Sequence, residues 1–199
     1  MKKRRIIVFG GVFNPPTKAH VLVAKEAMDY INAESLLFVP VGDNYFKKDK
    51  IDSKYRVEML KLCCEDNMFV DLVEVNANIK LTTIETLTFI QDSYKDADIY
   101  FLVGADNLNQ LDTWFKWEDI LSKFNLLVMN RDNLLVKNIV DNNKNLNKYK
   151  DRIQEVPFKL DKVISSTIVR EMVRTQDDSI GEYLIDSVVK YIRENKLYL

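Results

Sequence analysis

Ile6-Ile7-Val8-Phe9 is an unbroken apolar run rich in β-branched residues, and Gly10-Gly11 closes it. A run this short, with no polar member, is the pattern of a strand buried on both faces, as strands are in parallel sheets. Val12-Phe13-Asn14-Pro15-Pro16 follows, and its two prolines forbid an immediate regular element. After His20 the pattern turns helical, with Leu22, Ala27, Met28 and Ile31 near one face. The stretch therefore reads strand, tight loop, helix, with the chain's one histidine at the helix start. In a parallel α/β sheet that junction lies at the carboxyl end of a strand, where such folds bind ligands. Free N–H groups and the positive end of the helix dipole favour phosphate there.

The same alternation continues. Ser35 to Pro40 is a second strand, followed by a polar loop, Asp43 to Asp52, with Lys47, Lys48 and Lys50. Asp52 or Ser53 can cap a helix to about Glu65, with Val57, Leu60 and Cys64 at helical spacing. Met68 to Val75 reads as a third strand and Asn76 to Leu81 as irregular. Thr82 or Thr83 caps a helix through about Tyr94, periodic in Ile84, Leu87, Thr88 and Phe89. Ile99 to Val103 is a fourth strand, ended by Gly104-Ala105-Asp106. Residues 107 to 123 read as helix in pieces, and Leu126 to Met129 as a fifth strand. The asparagine- and lysine-rich stretch 133 to 151 predicts a surface helix or a mobile loop. Ile153 to Phe158 is a last short strand. Ser165-Ser166-Thr167 opens a helix to about Arg174. A final helix from Ser179 to Lys196 stripes Ile180, Leu184, Val188, Tyr191 and Ile192. Strands alternating with helices predict an α/β fold: a doubly wound, mainly parallel sheet with right-handed crossovers. The helical carboxyl end is expected to pack on the same single domain, residues 1–199.

Length and charge narrow the function. At 199 residues the chain can bury a sizeable core. A formal net charge of −1 gives no basic field for broad nucleic-acid binding. No apolar run approaches the ~20 residues that span a bilayer. Met1-Lys2-Lys3-Arg4-Arg5 has the charge of a signal-peptide start, but the apolar run behind it stops at Gly10, so a cytoplasmic protein is expected. Cys63 and Cys64 are adjacent and, on a helix, point about 100° apart. One is expected in the core and one at its boundary, unpaired. One histidine and one adjacent cysteine pair cannot build the usual N/S cage, so no metal held by side chains is expected.

Three further stretches carry ligand chemistry. In Ile164-Ser165-Ser166-Thr167-Ile168-Val169-Arg170, hydroxyls at a helix start stand beside free N–H groups, and Arg170 one turn on can reach the same anion with a planar fork. An ordinary capped helix with a surface arginine has the same residues. Gly104-Ala105-Asp106-Asn107 ends a strand at the ligand edge; its carboxylate can accept from ribose hydroxyls, and a nearby tryptophan can stack on a flat ring. One of Trp114 and Trp117 is expected in the core. Thr83-Ile84-Glu85-Thr86-Leu87 places hydroxyls at a helix N-terminus, which suits an anion, or simply caps the helix.

These stretches together resemble a known family. Gly10-Gly11, Phe13, Asn14-Pro15, Thr17 and His20 are similar to the (H/T)xGH signature of the nucleotidyltransferase superfamily, whose members adenylylate or cytidylylate a phosphate-bearing acceptor. Ser165 to Arg170 resembles their SSTxxR motif, which binds the triphosphate of ATP. The GAD with Trp114 downstream resembles the nicotinate- and nicotinamide-nucleotide adenylyltransferases, and Thr83 to Leu87 the TIxTL motif of the bacterial nicotinate branch. Val39-Pro40-Val41-Gly42 with Lys47 is similar to the family's proline-rich loop ending in lysine, although Tyr45-Phe46 stands where proline-histidine is usual and Lys48 suits the place as well. Arg56 matches the family's arginine on the next helix. Thr17 replaces a histidine common in bacterial relatives. Ala19 replaces a glycine, which is expected to put a methyl near the phosphates.

The resemblance, from Val8 to Arg170, implies a Rossmann-like nucleotidyltransferase fold and a reaction between ATP and nicotinate mononucleotide, with Mg2+ held mainly by phosphates. It implies catalytic roles for His20, as a charge-assisted donor to the α-phosphate and leaving pyrophosphate, and for Thr17, Lys47 and Arg170. It implies ATP contacts from Gly10, Gly11, Phe13, Thr17, His20, Ser165, Ser166, Thr167 and Arg170. The pyridine-nucleotide side is then Thr83, Thr86, Gly104, Asp106, Trp114 and Arg56. Nicotinamide mononucleotide or another phosphate acceptor remains open, as do a non-catalytic nucleotide-binding homologue and a purely structural domain. No nucleic-acid or membrane partner is expected, and the aromatic content leaves room for a homo-oligomer.

Overall fold

The computed structural model describes residues 3–130, 135–157 and 164–199. Its strands are β1 Arg4–Gly11, β2 Ser35–Pro40, β3 Met68–Val70, β4 Ala97–Gly104, β5 Asn125–Met129 and β6 Ile153–Val156. They form one sheet in the order β3-β2-β1-β4-β5-β6, with every pairing parallel. The helices are α1 Lys18–Ile31, α2 Ser53–Cys63, α3 Thr83–Ser93, α4 Ala105–Leu108, α5 Trp117–Lys123, α6 Val136–Asn142, α7 Lys144–Asn147, α8 Ser166–Thr175 and α9 Asp186–Glu194. Strand order reverses between β1 and β4, so a crevice opens at their carboxyl ends, Gly11 and Gly104.

Successive strand residues point to opposite faces, which explains the all-apolar first run. Ile6 and Val8 join one core with Leu37, Ile99 and Phe101 and the α3 stripe Ile84, Leu87 and Ile90. Ile7 and Phe9 join the other with Leu36, Phe38, Leu102 and the α1 residues Val23, Ala24, Ala27 and Ile31. A third cluster packs the carboxyl end against α1 and α2: Val169, Met172, Leu184, Val188 and Ile192 meet Val21, Met59 and Cys63. Among the described residues, no helix is long and apolar enough to cross a membrane.

Several elements differ from the pattern. Leu22 on α1 and Phe89 on α3 are exposed, because Val23 and Ala24, and Leu87 and Ile90, hold the inner stripes instead. The third strand stops at Val70: the Asp71 carboxylate accepts from Val73 N–H at 2.9 Å, turning the chain and carrying Glu74 toward the crevice. The final helix is broken into a 3-10 turn, Asp178–Glu182, and α9. The reason lies in two carbonyls that a continuous helix would use internally. Gly181 O accepts from Lys18 Nζ at 2.6 Å, and Tyr183 O accepts from Lys18 N–H at 2.9 Å. The asparagine-rich segment folds into α6 and α7, burying Val136, Val140 and Leu146, with the Asn143 side chain capping α7. Residues 133–134 of that segment and Phe158 of the last predicted strand lie outside the described residues. Cys63 is buried and Cys64 half-buried, both as free thiols. Burial pushes Cys63 up to about 12 and Cys64 to about 11, so neither is a thiolate near neutral pH.

Candidate active site

Thr17 occupies the N-cap of α1, and His20 is its third helical residue. Thr17 N–H donates to His20 Nδ1 at 3.0 Å, and the Thr17 hydroxyl lies 2.8 Å from the same nitrogen. A backbone N–H can only donate, so Nδ1 carries a lone pair and the ring proton sits on Nε2. With Nδ1 engaged by Thr17, Nε2 is the ring nitrogen through which His20 can donate. Thr17 is fully buried and spends its hydroxyl on His20, so it positions the imidazole and does not face a phosphate.

Phe13 holds the other side of the ring. It adopts a left-handed φ of 48° and is buried, with its ring 5.1 Å from His20 and 5.5 Å from Phe9, both edge-on. It acts through packing, in place of the expected ATP contact. Ala19 is likewise buried, so its methyl points into the protein and not at phosphates.

The carboxyl-terminal motif docks on this loop. Ser166 Oγ donates to Pro15 O at 2.7 Å, and Arg170 Nη1 donates to Asn14 O at 2.9 Å. Arg170 Nη2 reaches Thr167 Oγ1 at 3.3 Å, while its Nε is buried with no hydrogen-bond partner. Ser165 caps α8 by accepting from Ile168 N–H at 3.3 Å. The Asn14 side chain ties in two more segments, donating to Asp49 O at 2.8 Å and accepting from the Tyr198 hydroxyl at 3.0 Å. Motifs from opposite ends of the chain thus meet at the end of β1.

Arg56 does not belong to a nucleotide subsite. It is 0% exposed and donates to Ile51 O at 3.0 Å, Val12 O at 2.9 Å and Val41 O at 2.7 Å. The fork joins the loop after β1 to both ends of the loop between β2 and α2, and Asp43 lies 3.5 Å from Nη2. Burial lowers the Arg56 pKa, opposed by Asp43. Asp43, not the expected Asp52 or Ser53 side chain, holds the start of α2, accepting from Ser53 N–H at 2.8 Å and Ser53 Oγ at 2.7 Å.

Burial alone would raise Asp43, but Ser53, Lys50 and Arg56 outweigh it, and its pKa is lowered. A carboxylate with a depressed folded pKa adds stability above its unfolded pKa of ~3.9 and loses it as pH falls through the folded value. Asp43→Asn is accordingly expected to narrow the stability difference between pH ~6 and pH ~3 in denaturant unfolding. An unchanged difference would remove Asp43 from the acid transition.

The lysine loop divides its cations. Lys50 turns inward and donates to Gly42 O at 3.0 Å, whereas Lys47 and Lys48 are both exposed. Neither exposed lysine lines the crevice, so geometry does not separate them.

The crevice itself is a cleft of about 610 Å³ at the carboxyl edge of β1 and β4. Gly10, Gly11 and Phe101 form its floor, Trp114 and Phe115 one wall, and Thr83 and Thr86 another. Trp114 packs edge-on against Phe101 with ring centroids 6.4 Å apart and Trp117 against Tyr149; both are half-buried against the same core, and Trp114 is the one that lines the cleft. Gly104 and Asp106 stand at the end of β4, but Asn107 is the member of that turn that lines the cleft. Thr86 is buried and donates to Glu74 Oε1 at 2.8 Å, so its hydroxyl is already engaged.

Glu74, Lys80 and Tyr45 also line the cleft, and sequence reasoning missed all three as site residues. The sequence reads Glu74 as part of a third strand, Met68 to Val75. Its arrival here follows from the Asx turn at Asp71 and from Gly42, where any Cβ would overlap the Glu74 carbonyl. Among the described residues, no group of three or more His, Cys, Asp and Glu side chains is arranged to hold a metal ion.

Comparison with known proteins agrees with this arrangement. The cytidylyltransferase-like family profile matches residues 8–172. The chain is 34% identical, over all of both chains, to a probable nicotinate-nucleotide adenylyltransferase of Clostridium acetobutylicum. It is 30% identical, over 98% of each chain, to the nicotinate-nucleotide adenylyltransferase of Bacillus subtilis. Its fold is similar to that of Plasmodium falciparum nicotinic acid mononucleotide adenylyltransferase complexed with NaAD, with a TM-score of 0.77 at 17% identity, covering 98% of this chain and 97% of that one.

Proposed function

The chain belongs to the nicotinate-nucleotide adenylyltransferase family, within the cytidylyltransferase-like group, and we propose that it transfers the adenylyl group of ATP to nicotinate mononucleotide, giving deamido-NAD and pyrophosphate. The observation that carries this reading is the docking of Ser166 and Arg170 on Pro15 and Asn14, in the loop that also carries Thr17 and the positioned His20.

The acceptor's phosphate oxygen attacks the α-phosphorus in line. The bond from that phosphorus to the α–β bridging oxygen breaks, and pyrophosphate leaves with the oxygen. A phosphate oxygen needs no prior deprotonation, so the chain's work is positioning and charge stabilisation. His20 donates through Nε2–H to the α-phosphate and to the leaving oxygen. Exposed Gly10 lets the backbone come close to a phosphate. The α8 start, with Ser165, Ser166, Thr167 and Arg170, holds the β- and γ-phosphates. Lys47 or Lys48 neutralises phosphate charge from the loop. Magnesium enters with ATP as part of the substrate, held by phosphate oxygens and water. Trp114 stacks on the pyridine ring, and Thr83 lies at its edge. Both substrates are soluble nucleotides, and we place the reaction in the cytoplasm.

Incubating the chain with ATP, magnesium and nicotinate mononucleotide is expected to give pyrophosphate and dinucleotide in equal amounts, and neither when the mononucleotide is left out. Binding of ATP without dinucleotide would identify a non-catalytic nucleotide binder instead.

A further inference from the structure

The acid and amide mononucleotides differ at one group, a carboxylate against a carboxamide. Two hydroxyls at the start of α3 that would suit a carboxylate are already engaged: Thr82 Oγ1 donates to Glu85 at 2.6 Å, and Thr86 Oγ1 to Glu74 at 2.8 Å. Thr82 N–H also donates to Glu85, at 2.8 Å, so an anion already sits at this helix end. A second anion, Glu74, lines the cleft. Glu74 can accept from the N–H2 of an amide and repels a carboxylate, so by itself it would favour the wrong acceptor.

One opposing group is present. Among the described residues lining the cleft, Lys80 is the cation. Its Nζ lies 4.7 Å from the centre of the Tyr45 ring, a cation–π contact that holds it beside the cleft. We propose that Lys80 is the specificity-determining residue of the acceptor subsite, supplying the cation that pairs with the nicotinate carboxylate and offsets Glu74. The assignment rests on the proposed function. It makes selectivity a balance between two side chains that face one cleft: Lys80 drawing the acid, Glu74 drawing the amide.

The test is kcat/KM for both mononucleotides in the unchanged protein and in Lys80→Met, which keeps an apolar stem and removes the charge. Lys80 is exposed, so the variant is expected to melt with the unchanged protein. The acid-to-amide ratio should fall about 10-fold or more, the scale of one hydrogen bond to a charged group, chiefly through a raised KM for the acid. Lys80→Arg should restore most of the ratio, which a merely structural role would not require. A folded Lys80→Met protein with an unchanged ratio overturns the assignment while leaving the proposed function standing. If the unchanged protein turns over neither mononucleotide, or prefers the amide, the assignment falls as well, and the unchanged protein alone reveals that case.

Discussion

His20→Ala is expected to lower turnover by about 10²-fold or more, the cost of removing one preorganised donor from a transition state with developing charge. The loss should appear in kcat, with KM for ATP changed less, because the donor's interaction grows as charge moves onto the leaving oxygen. The imidazole's position is over-determined: Thr17 fixes Nδ1 from one end, and Phe9 and Phe13 pack against the ring. Such support is what a donor needs to be aimed before substrate arrives. The same substitution removes the side-chain half of a capping interaction, a structural cost of ~1 kcal/mol that leaves the fold intact. Near-normal turnover in a folded His20→Ala protein would contradict the assignment.

Arg56→Ala should have the largest effect on stability, about 3–5 kcal/mol, a substantial part of the ~5–15 kcal/mol that holds a typical domain together. The variant leaves the carbonyls of Val12, Val41 and Ile51 without their donor, each a buried acceptor that costs roughly 1–3 kcal/mol when unpaired, less whatever entering water recovers. The Asp43 contact adds little to this sum, since that carboxylate is half exposed. Arg56→Lys should recover only part, because an ammonium cannot span three carbonyls as a planar fork does. Urea unfolding measures both. A midpoint for Arg56→Ala equal to that of the unchanged protein would show that the fork is dispensable.

These two residues also mark what a sequence can and cannot convey. Strand β2 and the glycine-to-helix junction at His20 were legible because they depend on local pattern: a continuous apolar run, a glycine pair, two prolines and a helical stripe. The union of the two terminal motifs was legible only through resemblance, since Ser166 and Pro15 lie 151 residues apart. Arg56, Thr17 and Phe13 carried the right residue types but the wrong depth. A buried donor and an exposed one look alike in a string of letters, and only the surrounding carbonyls and rings distinguish them. Glu74 and Lys80 were hidden for another reason. The apolar-rich segment Met68 to Val75 reads as strand, and the Asx turn at Asp71 that redirects it depends on a single side chain. The break before α9 had a weak local signal in Gly181, but its cause, the capture of two carbonyls by Lys18, is tertiary.

Pyrophosphate release from ATP and magnesium, run in parallel with nicotinate mononucleotide and nicotinamide mononucleotide, tests the central claim most directly. Faster release with the acid is the predicted result, and it would establish both the adenylyl transfer and the sense of the acceptor subsite. Faster release with the amide, or no release with either, would contradict it.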